Sequence, residues 1–121
     1  MPLHGFINNR DELVAELTIM GFRAETTVKA IVDTGFSGEL WVPASIIGNL
    51  GMDLRVASFT HLADGSRIRN LTFNGKIRWM ERIVPVSVIL SFGDEILIGT
   101  QLLRSCKCII DYPARQFVIE E

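Results

Sequence analysis

The sequence predicts a small, mostly-β domain with one or two short helices. Runs rich in β-branched and aromatic residues recur along the chain, and turns containing Gly, Asp or Pro separate them. A length of 121 residues is the ordinary size of a single domain, so residues 1–121 are expected to form one unit.

The elements follow in order. Leu13–Met20 mixes apolar and polar residues as a strand does, although Asp11-Glu12 before it could open a helix. Gly21–Glu25 reads as a turn and Thr26–Val32 as a β-branched strand, which together make a hairpin. Glu39–Val42 is a short strand that stops at Pro43. That proline suits the first turn of a helix through Ala44–Ile47, closing at Gly48 or Gly51. Arg55–Leu62 and Ser66–Phe73 flank Ala63-Asp64-Gly65, a strong turn signal, and form a second hairpin. Lys76–Met80 and Ile83–Leu90 continue the β pattern up to a turn at Gly93-Asp94. A short helix is expected over Thr100–Ser105 after Gly99, followed by a last hairpin of Cys108–Ile110 and Gln116–Ile119.

Composition excludes several classes. With 48% hydrophobic and 21% charged residues the chain has the balance of a folded domain. A chain this short leaves much apolar surface near the outside, which a second copy could cover. A formal net charge of −2 gives no electrostatic footprint for nucleic acid. Arg67, Arg69, Lys76 and Arg78 are interleaved with acidic and apolar residues, as on a solvated strand face. Residues 1–10 lack a signal-peptide core, and the apolar stretch Ile83–Leu90 is interrupted by Pro85 and Ser87 and too short to span a bilayer. The expected compartment is the cytoplasm, without membrane contact. Cys106 and Cys108 are two apart, a poor disulfide geometry, and read as buried free thiols. His4 and His61 have no ligand-type spacing, so no metal and no cofactor is expected.

The chemistry concentrates in Ala30-Ile31-Val32-Asp33-Thr34-Gly35-Phe36-Ser37-Gly38. A carboxylate directly after an apolar strand is costly unless it is hydrogen-bonded or its protonation shifts. The glycines at 35 and 38 permit a tight turn and the close approach of another backbone, and Thr34 brings a hydroxyl that can both donate and accept. Alone, an Asp-Thr-Gly tripeptide is an ordinary strand-ending turn. A second element, Ile96-Leu97-Ile98-Gly99-Thr100-Gln101-Leu102-Leu103, lies near the C-terminus.

Together these segments resemble the retropepsin-like aspartic peptidases, single-lobed relatives of pepsin. Asp33-Thr34-Gly35 matches the catalytic triplet, and Leu97-Ile98-Gly99 with Leu102-Leu103 matches the apolar-apolar-Gly element and the helix after it. The turn at Ala63-Asp64-Gly65-Ser66 lies between them, in the order of the family's flap. The resemblance, over about residues 12 to 110, implies a small closed acid-protease β-barrel with one lobe per chain. It also implies catalysis by Asp33, Thr34 and Gly35, with substrate met by Gly35, Phe36, Ser37 and the flap residues Ala63, Asp64, Gly65 and Ser66.

Peptide hydrolysis through an activated water needs one group to take a proton while another gives one. Two close carboxyls can do both, because like charges keep them from ionising together and they share a proton. This chain has a single Asp-Thr-Gly, since Asp11, Asp53, Asp64, Asp94 and Asp111 lack the following Thr-Gly or Ser-Gly. The second carboxylate is therefore expected from a second copy in a homodimer, on a peptide or protein substrate. The resemblance further implies that the Thr34 hydroxyls hold the two loops across the twofold axis. The chain departs from the family at Phe36, where Ala is common, and at Ser37-Gly38-Glu39, where many members carry a second Asp. These departures motivate the alternative of a catalytically silent peptide-binding or dimerisation module on the same fold. Phe36, Trp41, Ile83 and Val84 are candidate pocket walls. The tail from Asp111 to Glu121 is longer than the end of the viral enzymes.

Overall fold

The computed structural model describes residues 1–121. Ten strands and two short helices follow in the order β1 Leu3–Ile7, β2 Leu13–Met20, β3 Glu25–Val32, β4 Leu40–Pro43, α1 Ala44–Leu50, β5 Asp53–His61, β6 Arg67–Trp79, β7 Arg82–Ser91, β8 Leu97–Ile98, α2 Thr100–Leu103, β9 Lys107–Asp111 and β10 Gln116–Glu120. Strand residues make up 57% of the chain against 9% in helix, so the mostly-β expectation holds.

The strands β2-β3-β8-β4-β7-β6 are hydrogen-bonded in that order, and β6 returns to β2 through Ile19 opposite Ile77, which closes a six-stranded barrel. Two pairings are parallel, β3 with β8 and β4 with β7. Every barrel strand sends at least one fully buried side chain inward: Ile19, Ala30, Ile98, Leu40, Val88 and Ile77 are all at 0% exposure. Burying an aliphatic side chain of this size is worth roughly 1.5–3 kcal/mol, so this interior is the main source of the barrel's stability. Two additions hang on the closed ring. β5 extends β6 beyond the barrel, and β1, β10 and β9 extend the sheet from β2.

Helix α1 ends at Gly51, the only one of the two candidate glycines with a positive φ, +73°, and its N–H closes on the carbonyls of Ile47 and Gly48. Gly48 lies inside the helix. The stretches Ser66–Phe73 and Lys76–Met80, read separately in the sequence, belong to one strand, and β6 runs unbroken for 13 residues. Gly75 serves close packing instead of a turn, because a Cβ there would lie 3.0 Å from Val88 Cγ2. The real turn of the β6–β7 hairpin is Met80-Glu81, both with positive φ (49° and 71°), a two-residue primed turn made without glycine. β1 escaped the sequence reading because Gly5 interrupts it. In the fold that glycine is where the Phe117 ring packs, and a Cβ would meet the ring at 2.3 Å.

The cysteines need a correction. Both are free, but Cys106 is only half-buried and Cys108 is exposed. Cys108 sits on β9, which no neighbouring element of the chain covers. Arg67, Arg69, Lys76 and Arg78 are all exposed on β6. Strand alternation turns the first pair and the second pair to opposite faces, so the four do not form one patch. No helix is long and apolar enough to cross a membrane.

Candidate active site

Asp33 follows the last residue of β3, and the chain reverses immediately after it. Its backbone N–H donates to the Ile98 carbonyl at 2.9 Å, extending the short parallel ladder in which Ile31 lies opposite Leu97 and Val32 opposite Ile98. Its side chain folds back onto the loop, where Oδ1 accepts the Gly35 N–H at 2.8 Å. The Phe36 N–H closes the turn on the Asp33 carbonyl at 3.1 Å. Asp33 is half-exposed and Thr34, Gly35 and Ser37 are exposed, so the carboxylate and the Thr34 hydroxyl lie at the surface of the single chain.

The Gly99 segment clamps this loop from behind. The Gly99 N–H donates to the Glu39 carbonyl at 3.0 Å, Thr100 N–H to the Phe36 carbonyl at 2.9 Å, and Gln101 N–H to the Gly38 carbonyl at 3.2 Å. The approach is so close that a Cβ at Gly99 would stand 2.1 Å from the Gly38 carbonyl oxygen and 2.6 Å from the Phe36 ring. Only glycine fits. The two segments singled out in the sequence, with Asp33 and Gly99 lying 66 positions apart, thus meet as one hydrogen-bonded unit. Phe36 is half-buried, edge-on to Trp41 with ring centroids 5.8 Å apart. Its ring is part of the packing under the loop.

Glu39 was missed as a positioning residue. Its carboxylate accepts the Ser87 N–H at 2.8 Å, tying the end of the loop to β7. No spacing rule could have found this partner, which is 48 residues away. Ile31 and Leu97, opposite each other in the parallel ladder that leads to Asp33, are both only half-buried.

The expected flap residues Ala63, Asp64, Gly65 and Ser66 form the tip of the β5–β6 hairpin, and all four are exposed. The tip is held by its own turn. Leu62 N–H donates to the Ser66 carbonyl, Gly65 N–H to the Leu62 carbonyl, and Asp64 Oδ1 accepts both the N–H and the hydroxyl of Ser66, at 2.9 and 2.6 Å. These bonds from Ser66, the hydroxyl's first, hold the Asp64 carboxyl below its ordinary value of 3.8. No hydrogen bond joins the tip to the Asp33 loop. Nearer the barrel, a cavity of about 600 Å³ opens beside Trp41, between Ile68–Asn70 of β6 and the Phe92–Glu95 loop. Of the candidate pocket walls, Trp41 lines this cavity directly and Phe36 backs it through Trp41. Ile83 and Val84 do not line it, since they pair with Arg78 and Ile77 at the far end of the β6–β7 hairpin.

No family model matches the sequence, and no curated protein matches it either. Solved structures do match in three dimensions. A retropepsin-like aspartic protease from Rickettsia conorii superposes with a TM-score of 0.70 at 18% identity, over 98% of this chain and 89% of that one. The EIAV protease, complexed with an inhibitor, gives a TM-score of 0.62 at 12% identity, over 80% of this chain and 89% of that one. The fold is retropepsin-like. At these identities the likeness is one of architecture, and it agrees with the single-lobed closed barrel expected from the two motifs.

Proposed function

We propose that the chain is an aspartic endopeptidase active as a homodimer, with Asp33 from each of two copies forming the carboxyl dyad. The observation that carries this reading is the clamped Asp33-Thr34-Gly35 loop, in which the Gly99 segment fixes the backbone while the carboxylate and Thr34 stay exposed. A single carboxyl cannot both accept the proton of the attacking water and supply one to the leaving amine. Two facing carboxyls sharing one proton can, and they titrate as a pair. Symmetry about a twofold axis is the simplest way for one Asp per chain to become two per site. In the dimer, Thr34 hydroxyls join the loops across the axis, Gly35, Phe36 and Ser37 border the substrate backbone, and the Ala63–Ser66 turn closes over an extended peptide.

The silent-module alternative rested on Phe36 and on the missing second Asp. Phe36 packs against Trp41 below the loop, so its bulk supports the backbone of the triplet and does not argue against a working cleft. The decisive substitution is Asp33→Asn, which keeps the shape of the side chain and removes its acid–base chemistry. Cleavage of a peptide library should fall roughly 10²–10⁴-fold, with sedimentation and thermal unfolding unchanged. Cleavage at a comparable rate in the variant would remove Asp33 from the mechanism.

A further inference from the structure

We propose that the β5–β6 hairpin binds an extended acidic segment of a protein partner, through Arg67, Arg69 and His61 on the face turned away from the Trp41 cavity. The face follows from the registers. Thr72 lies opposite Ile89 and Ile89 opposite Trp41, so Thr72 shares the face of the sheet that Trp41 gives to the cavity. Alternation puts Asn70 and Ile68 on that face with Thr72, and the Asn70 amide donates to the Thr60 hydroxyl there. Leu71, Arg69 and Arg67 take the opposite face, where their partners in the ladder are Ala57, Phe59 and His61. One contact verifies this assignment. The Arg67 guanidinium stands 4.5 Å from the centroid of the Phe59 ring, so the two side chains share a face.

Charge on this hairpin is segregated. Residues 54–73 carry Arg55, Arg67 and Arg69 against a single carboxylate, in a chain whose formal net charge is −2. That carboxylate, Asp64, accepts the Ser66 N–H and hydroxyl. Elsewhere Arg82 pairs with Glu121 and Arg115 with Asp11, whereas Arg67 and Arg69 have no ion pair. Asp94 and Glu95 border the Trp41 cavity together with Arg69 and form none with it. His61, Arg67 and Arg69 are exposed, and so is Phe59 at 52%. The patch is cationic, aromatic and not neutralised by its own chain.

Its geometry fits one kind of partner. Positions two apart on a strand are about 7 Å apart, the same repeat as carboxylates at alternate positions of another extended chain. Each guanidinium presents a planar fork that takes a carboxylate with two parallel hydrogen bonds. Stacking on Phe59 limits the freedom of Arg67 before any partner arrives, which lowers the cost of binding. His61, opposite Arg67, adds a ring N–H at the end of the row. Lys76 and Arg78 have the same spacing on the other face of β6 but no stacked ring. The patch stands whether or not the chain is a peptidase. If it is, the docked segment lies on the outside of the hairpin and out of the cleft.

Fluorescence anisotropy with a labelled hexapeptide of alternating Glu and Ser tests the assignment, on the full chain carrying Asp33→Asn so that the probe stays whole. Saturable binding is expected at low ionic strength, weakening as salt is added. Arg67→Gln with Arg69→Gln should weaken it roughly tenfold. Arg67→Lys with Arg69→Lys should weaken it roughly threefold, because the charge stays and the fork goes. Lys76→Gln with Arg78→Gln removes the same charge from the opposite face and should change binding by less than about twofold. All four positions are exposed, so thermal unfolding should stay where it is. Equal losses from the two Gln pairs would reduce the effect to net charge and overturn the proposal, as would the absence of saturable binding. An oligothymidylate that binds through Arg67 and Arg69 more tightly than the peptide would also overturn it, since the partner would then be a nucleic acid. The readout is binding alone, so its failure leaves the peptidase reading untouched, and a chain that never cleaves leaves the patch untouched.

Discussion

The Asp33 loop and the Ala63–Ser66 turn both carry residues expected to meet a substrate, yet they are held in different ways. The first is fixed by partners distant in sequence: the Ile98 carbonyl, the Thr100 and Gln101 N–H groups, and a glycine whose replacement would collide with backbone. The second is fixed by residues no more than four positions apart, at the exposed end of a hairpin. Long-range restraint makes a loop as stable as the barrel that supplies it. Local restraint lets a hairpin tip open without disturbing the core, as closure over a peptide requires. Under the proposed function, the first region would be a fixed floor and the second an independent cover.

The largest stability effect is expected at the floor. Gly99→Ala should cost about 1–3 kcal/mol, the usual range for overpacking, and lower both the melting temperature and peptide cleavage. An unchanged melting temperature would show that the Gly38 carbonyl can yield, and that the loop is less constrained than its contacts indicate. A smaller effect is expected at the cover. Gly65 has φ of +88° with open space around it, so Gly65→Ala should cost about 1 kcal/mol of turn conformation alone. Because the tip is exposed and held only by its own turn, calorimetry should register little change while cleavage efficiency falls. A drop in melting temperature as large as that of Gly99→Ala would erase the distinction between the two regions.

The smallest effect is electrostatic. The Asp64 carboxyl is held below 3.8 by Ser66, so its contribution to the turn is fully present above that pH. That contribution is lost as pH falls through the lowered value in the folded chain. The Ser66 amide resonance should therefore titrate with a midpoint below 3.8, and Asp64→Asn should abolish the titration while leaving the Asp33 loop signals in place. A Ser66 midpoint at or above the ordinary value would mean that the Ser66 bonds do not form in solution.

Legibility followed the range of the interactions. The β2–β3 and β9–β10 hairpins and the Ala63–Ser66 turn could be read directly, because alternation and turn residues are properties of neighbouring positions. The reading failed where a tertiary contact decided the role of a residue. Ser66–Phe73 and Lys76–Met80 join into one strand through Gly75, a packing site against Val88, Gly5 hid β1 because it admits Phe117, and Met80-Glu81 turns without glycine between the paired strands. Glu39 had no local signature, since its Ser87 partner lies on another strand.

By itself the sequence determined the class of the fold and singled out the Asp33 and Gly99 segments. Their joint resemblance to the retropepsin-like aspartic peptidases, with one Asp-Thr-Gly per chain, carries the expectation of a second carboxylate. Only the tertiary structure decided that the Gly99 segment grips the Asp33 loop, that Phe36 packs beneath it, and that β9 is left bare on both faces. Such facts depend on which distant backbones approach each other, and close packing fixes that only once the barrel has closed.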